Sequence, residues 1–175
     1  MKKDDFEELE ELEELEDGDT EEWEDLDDSE TPEDDEDIEK LPLADVFEIL
    51  NTIDNKKILV GSNAILASPK YKNALNNYAE DEGYHPLALL DNTFWGSAKN
   101  GCLVTTGAIY ARQDDKAAPR KFELTPDSLI QFANGGDSLA LGGKPFFCFK
   151  YSQEDDVKKI VSALRILIKS EDLGC

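Results

Sequence analysis

The negative charge of this chain is crowded into one end, and that divides the molecule before any secondary structure is considered. Of its 41 Asp and Glu residues, 24 lie in residues 1–40, against 3 of its 18 Lys and Arg. This segment carries −21 of the net −23 and leaves the rest of the chain near neutral, at −2. Its branched and aromatic apolar side chains are only Phe6, Leu9, Leu12, Leu15, Trp23, Leu26 and Ile38. So few apolar groups cannot offset the entropy of ordering a strongly self-repelling chain. The sequence therefore predicts a disordered acidic tail over 1–40. The other 135 of the 175 residues suffice for one domain with a core.

The run FEELEELEELED within this tail resembles a zipper but cannot form one. Its apolar residues Phe6, Leu9, Leu12 and Leu15 recur every three positions. A helix turns about 100° per residue, so each step of three falls about 60° short of a full turn. From Phe6 to Leu15 the stripe drifts by about 180°, whereas a coiled-coil seam needs a spacing of about 3.5 residues. Like charges four apart, such as Glu7 and Glu11, further oppose a free helix. The plain reading is a solubilising tail. The sharper one is an arm that docks on a basic protein partner. Its carboxylates would steer the encounter. Phe6, Leu9, Leu12, Leu15, Trp23 and Leu26 would make the short-range contacts.

After Pro42 the pattern becomes that of a folded domain. Leu43, Val46, Phe47 and Leu50 have helical spacing. A second helical stretch lies within Asn63–Tyr78, with Ser68-Pro69 as a start signal and Tyr71, Ala74, Leu75 and Tyr78 on one face. Residues 41–84 thus read as a helical segment packing on a domain of strands. From Pro86 the chain breaks into short strands: LALLD, GCLVT and AIYAR about a tight turn at Thr106-Gly107, then KFEL, SLIQF, SLALG and PFFCFKY. A final amphipathic helix, Glu154–Lys169, turns Val157, Ile160, Val161, Leu164, Leu167 and Ile168 inward, with Ser152 and Asp155 spaced as a capping box. The fold class is α+β: an antiparallel barrel or sandwich of about six to seven strands, closed by a C-terminal helix.

The stretch LLDNTFWGSAKNGCLVTTGAIYAR resembles the signature region of bacterial pleckstrin-homology-like domains, at Asp91, Thr93, Gly96, Ser97, Gly101, Thr105, Gly107, Ile109 and Tyr110. The resemblance spans residues 85–170 and leaves out the tail and the segment 41–84. It implies a pleckstrin-homology-like fold, which serves lipid binding, peptide binding and scaffolding alike.

No catalytic constellation can be assembled. His85 is the only histidine and lies in a connection beside Gly83 and Pro86. One histidine with Cys102, Cys148 and Cys175 scattered makes neither a zinc site nor a disulfide framework. Cys102 and Cys148 read as buried thiols. The acidic pairs Asp27-Asp28 and Asp34-Asp35 lack the spacing of a calcium loop. Gly142-Gly143-Lys144 precedes a proline and a strand, not the helix of a phosphate loop. No metal, cofactor or enzymatic activity is expected. Lys116, Arg120 and Lys121 form a modest cluster for an anion, but an arm of −21 opposes both anionic membranes and nucleic acid. MKKDDF lacks the apolar stretch of a signal peptide, and Arg165 and Lys169 interrupt the apolar runs near the C-terminus. A cytoplasmic protein with no membrane insertion is expected. The function expected is a non-enzymatic interaction module for a basic protein partner. Two alternatives stand beside it: an inhibitor or immunity-type protein that masks a nucleic-acid-binding or nuclease surface by polyanion mimicry, and a lipid-binding domain.

Overall fold

A computed structural model describes residues 42–133 and 137–171. The acidic tail and its candidate contacts Phe6, Leu9, Leu12, Leu15, Trp23 and Leu26 lie outside the described residues, as do Gly135, Gly136 and Cys175.

Helix α1 (Pro42–Leu50) opens the described chain, followed by strand β1 (Ile58–Val60) and helices α2 (Ser62–Leu66) and α3 (Pro69–Asn77). The α3 start follows the sequence signal: Pro69 stands in the first turn and the Ser68 hydroxyl accepts from the Lys70 amide. Strands β2 (Pro86–Asp91), β3 (Gly101–Thr105), β4 (Ala108–Arg112) and β5 (Arg120–Glu123) come next. Strands β6 (Ile130–Ala133), β7 (Ser138–Leu141) and β8 (Lys144–Cys148) lead to helix α4 (Glu154–Glu171). Strands β1 to β5 form one antiparallel sheet in sequence order, and β6 to β8 form a second. At the β7–β8 turn Gly142 and Gly143 both take positive φ, 57° and 76°, as a two-residue hairpin requires.

The first sheet is covered on both faces, which explains why LALLD is apolar throughout instead of alternating. On one face Leu90, Cys102 and Ile109 pack with Val46 and Leu50 of α1, Leu139 of the second sheet, and Ile160 and Leu164 of α4. On the other, Leu89, Leu103 and Tyr110 pack with Ile65 of α2 and Ala74 and Tyr78 of α3. Every residue of β2 is buried as a result. A strand buried on both faces carries no period of two.

Three expectations need correction. The segment 41–84 is not wholly helical: Ile58–Val60 pairs antiparallel with β2 as an edge strand. Three residues are too few to show a strand period. The strands make two separate sheets, of five and three strands, and do not close into a barrel. The capping role of Ser152 is also displaced. Asp156 Oδ2 accepts the Gln153 amide at 3.0 Å and the Asn55 side-chain amide at 2.8 Å, while the Ser152 hydroxyl is buried without a partner among the described residues.

The edge of β8 is held to the first sheet by side chains acting as a neighbouring strand would. The Gln113 carboxamide accepts the Cys148 amide at 2.9 Å and donates to the Cys148 carbonyl at 3.0 Å. Asn92 donates to that same carbonyl at 3.1 Å and accepts the Lys150 amide at 2.9 Å. The Arg120 guanidinium donates to the Phe146 carbonyl at 2.9 Å.

Candidate functional site

The connection from β2 to β3, residues 92–100, is a loop held by several side-chain hydrogen bonds beneath two exposed aromatic rings. At its base, Asp91 Oδ1 accepts from the Thr93 amide at 2.9 Å and from the Thr93 hydroxyl at 2.6 Å. Thr93 Oγ1 in turn accepts the Ser97 amide at 2.8 Å. Lys57 Nζ donates to the carbonyls of Thr93 at 2.6 Å and Phe94 at 2.9 Å, so the residue just before β1 pins the loop from one side. From α3, Asn73 donates to the Ser97 carbonyl at 2.8 Å, and Lys70 Nζ lies 3.1 Å from Asp91 Oδ2. Burial would raise the Asp91 carboxyl, but the Thr93 hydrogen bonds and the Lys70 ammonium outweigh it and hold it below the usual carboxylate range. Ala98, wholly buried, sits at φ 53°, a left-handed conformation that costs an L-residue about 1–2 kcal/mol. Such strain persists where the surroundings fix the backbone.

At the tip, Phe94 is 71% exposed and Trp95 89% exposed. Their centroids lie 4.9 Å apart with ring planes at 89°, the edge-to-face geometry aromatic pairs favour. Leaving two such side chains in water forgoes roughly 1.5–3 kcal/mol of burial for each. The loop therefore does not position them for the stability of the fold. Beside them opens a cleft of about 380 Å³, walled by Phe94, Trp95 and Tyr151 and carrying Asp114 and Asp115. Lys99 and Lys150 also line it, so its local charge balances. Asn100 lines it too: its side-chain amide donates to Asp115 at 2.7 Å, and its side-chain carbonyl oxygen is buried without a partner among the described residues.

The residues singled out as an anion site are not brought together. Arg120 and Lys121 are successive residues of β5 and leave it on opposite faces. The Arg120 guanidinium lies over the Phe146 ring, 4.8 Å from its centroid. Lys121 pairs with Glu82 at 2.6 Å and Glu123 at 3.2 Å. Its ammonium and the Tyr110 hydroxyl both bond Glu82 and hold that carboxyl below its usual range. Lys116 stands exposed in the β4–β5 connection. His85 is exposed, with its backbone amide on the Thr106 hydroxyl at 3.2 Å. Cys102 is fully buried, and burial pushes its thiol well up, whereas Cys148 is half-buried and not enclosed as expected. Among the described residues no helix is long and apolar enough to cross a membrane, and no group of three or more His, Cys, Asp or Glu is placed to hold a metal ion.

Sequence reasoning reads Asp91, Thr93, Gly96 and Ser97 as marks of a fold and passes over Phe94 and Trp95 between them. The available signal was two large aromatics side by side in a turn-rich, polar stretch, where neither strand nor helix periodicity assigns them to a core. No family model matches the chain, and no curated protein and no solved structure matches it.

Proposed function

We propose that this protein is a non-enzymatic interaction module of the cytoplasm, in which a domain of pleckstrin-homology-like architecture presents a fixed aromatic knuckle and an acidic arm draws in a basic protein partner. The observation that carries the reading is the exposure of Phe94 and Trp95 on a loop fixed from three sides. Aromatic residues, tryptophan above all, dominate the energetics of protein interfaces. The sign of the partner follows from the arm, since −21 of charge in 40 residues favours a basic surface. Four consecutive antiparallel strands, β2 to β5, then three more and a terminal helix support the architecture, with α1 to α3 and β1 as additions.

Polyanion mimicry, by which the arm masks a nucleic-acid-binding or nuclease surface, is a second reading favoured by the same charge density. Lipid binding at Lys116, Arg120 and Lys121 loses support, because two of the three cations are engaged within the domain and face apart. Affinity capture from native lysate tests the main reading with full-length protein and a version lacking residues 1–40. Deletion is expected to leave a folded domain and to weaken capture of a basic protein most strongly at low salt. Capture that is indifferent to both deletion and salt overturns it. If adding the protein displaces nucleic acid from the captured partner, the masking reading prevails.

A further inference from the structure

The cleft beside Phe94 and Trp95 has its own chemistry, distinct from the long-range pull of the arm. Ligands that stack on aromatic faces include nucleobases, lipid interfaces and cationic side chains. The first two bring phosphate, which a molecule of net charge −23 repels. Within the cleft Lys99 and Lys150 balance Asp114 and Asp115, so the local charge does not choose, and the net charge of −23 favours a cationic partner over an anionic one. Tyr151 shows the mode already in use: Lys57 Nζ lies 5.0 Å from its ring centroid. The faces of Phe94 and Trp95 hold no such cation among the described residues.

Resting on the proposed basic partner, we propose that this cleft receives an arginine side chain of that partner, stacked on Trp95 and Phe94 and hydrogen-bonded at the Asp114–Asp115 wall. Arginine fits better than lysine for three reasons. Its guanidinium is planar and stacks on an indole, it sheds water more easily than an ammonium, and it offers five donors. The Asp114 and Asp115 carboxylates supply acceptors on one wall, with Asp115 steadied by the Asn100 side-chain amide at 2.7 Å. Desolvated cation–π contact is strongest on tryptophan. The arm then governs how fast the partner arrives, and the cleft how long it stays.

The test uses full-length protein carrying Trp23→Phe, which leaves Trp95 as its only indole. The probes are two labelled, amidated peptides, one alternating arginine with glycine and one with lysine in arginine's place. Peptide anisotropy reads total binding and Trp95 emission reads the cleft. Saturable change in Trp95 emission with the arginine peptide is expected, with about tenfold weaker response to the lysine peptide. Phe94→Ala is expected to weaken the arginine response by a similar factor, and circular dichroism checks that this exposed substitution leaves the fold unchanged. Peptide binding without any change in Trp95 emission overturns the cleft but leaves the arm reading standing. Absence of binding by either measure, with peptide anisotropy repeated on the protein that keeps Trp23, overturns both. Equal responses to the two peptides remove the arginine preference and overturn the proposal. So does Trp95 emission that answers only to anionic phospholipid vesicles or to single-stranded oligothymidylate.

Discussion

At the scale of single residues, Asp91 organises the site although it touches nothing outside the domain. Its carboxylate is held below the usual range, so its contribution to stability is complete at neutral pH. It is lost as pH falls below about 3.9, the ordinary carboxylate value, toward the depressed native one. Amide hydrogen exchange at Thr93 and Ser97 is therefore expected to quicken in that acid window, and Asp91→Asn to remove the pH dependence. That substitution is expected to lower stability by about 1–3 kcal/mol in denaturant titrations, the cost of unmaking buried charge-assisted hydrogen bonds. Two glycines of the same region separate rigid from yielding contacts. A Cβ on Gly101 would lie 2.1 Å from the Leu90 carbonyl oxygen, part of a paired strand that cannot retreat. A Cβ on Gly107 would lie 2.2 Å from the ring of Tyr84, a 41% exposed side chain that can swing away. Gly101→Ala is expected to cost about 2 kcal/mol or more and Gly107→Ala less than about 1, as thermal unfolding would show.

At the scale of elements, side chains substitute for missing backbone partners. Gln113 closes both hydrogen-bonding groups of Cys148 at the edge of β8, and truncating it strips the Cys148 amide of its partner. Gln113→Ala is expected to cost about 1–3 kcal/mol and to speed exchange at Cys148 ahead of the β7 amides. At the head of α4, Asp156 caps the Gln153 amide and anchors Asn55, whereas the Ser152 hydroxyl has no partner among the described residues. Asp156→Ala is expected to destabilise by about 1–2 kcal/mol. Ser152→Ala is expected to be neutral or mildly stabilising, because it removes a buried hydroxyl with nothing to bond. If Ser152→Ala proves the more damaging of the two, the assignment of the cap is wrong. The capping pattern in the sequence was legible but one residue out of place, because two acidic residues follow one another and only the packing of α4 chooses between them.

At the scale of the whole molecule, α1 and β1 belong to the core. Val46, Leu50 and Ile58 join the cluster of Leu90, Ile109 and Leu164. Leu50, 1% exposed, is expected to cost about 2–5 kcal/mol when replaced by alanine. A fragment beginning at residue 85, where the family resemblance begins, would expose the outer edge of β2 and the faces beneath α1, α2 and α3. It is expected to aggregate, or to fail to show a cooperative thermal transition.

The sequence by itself determined the division into a polyanion and a near-neutral domain, since charge and apolar content are additive along the chain. It also determined the strands β2 to β8 and the helix α4, whose residues match one period or are bounded by turn residues such as Thr106-Gly107 and Gly142-Gly143. Only the tertiary structure decided what depends on neighbours distant in sequence. Ile58–Val60 is a strand because β2 offers it an edge. Arg120 and Lys121 separate because a strand alternates its faces and each meets its own partners. Phe94 and Trp95 stand out from the domain because Lys57, Asn73 and Asp91, from three separate stretches of chain, hold their loop while no described residue covers their rings. Composition cannot distinguish an aromatic pair bound for the core from one held out of it; that difference lies in the hydrogen bonds beneath.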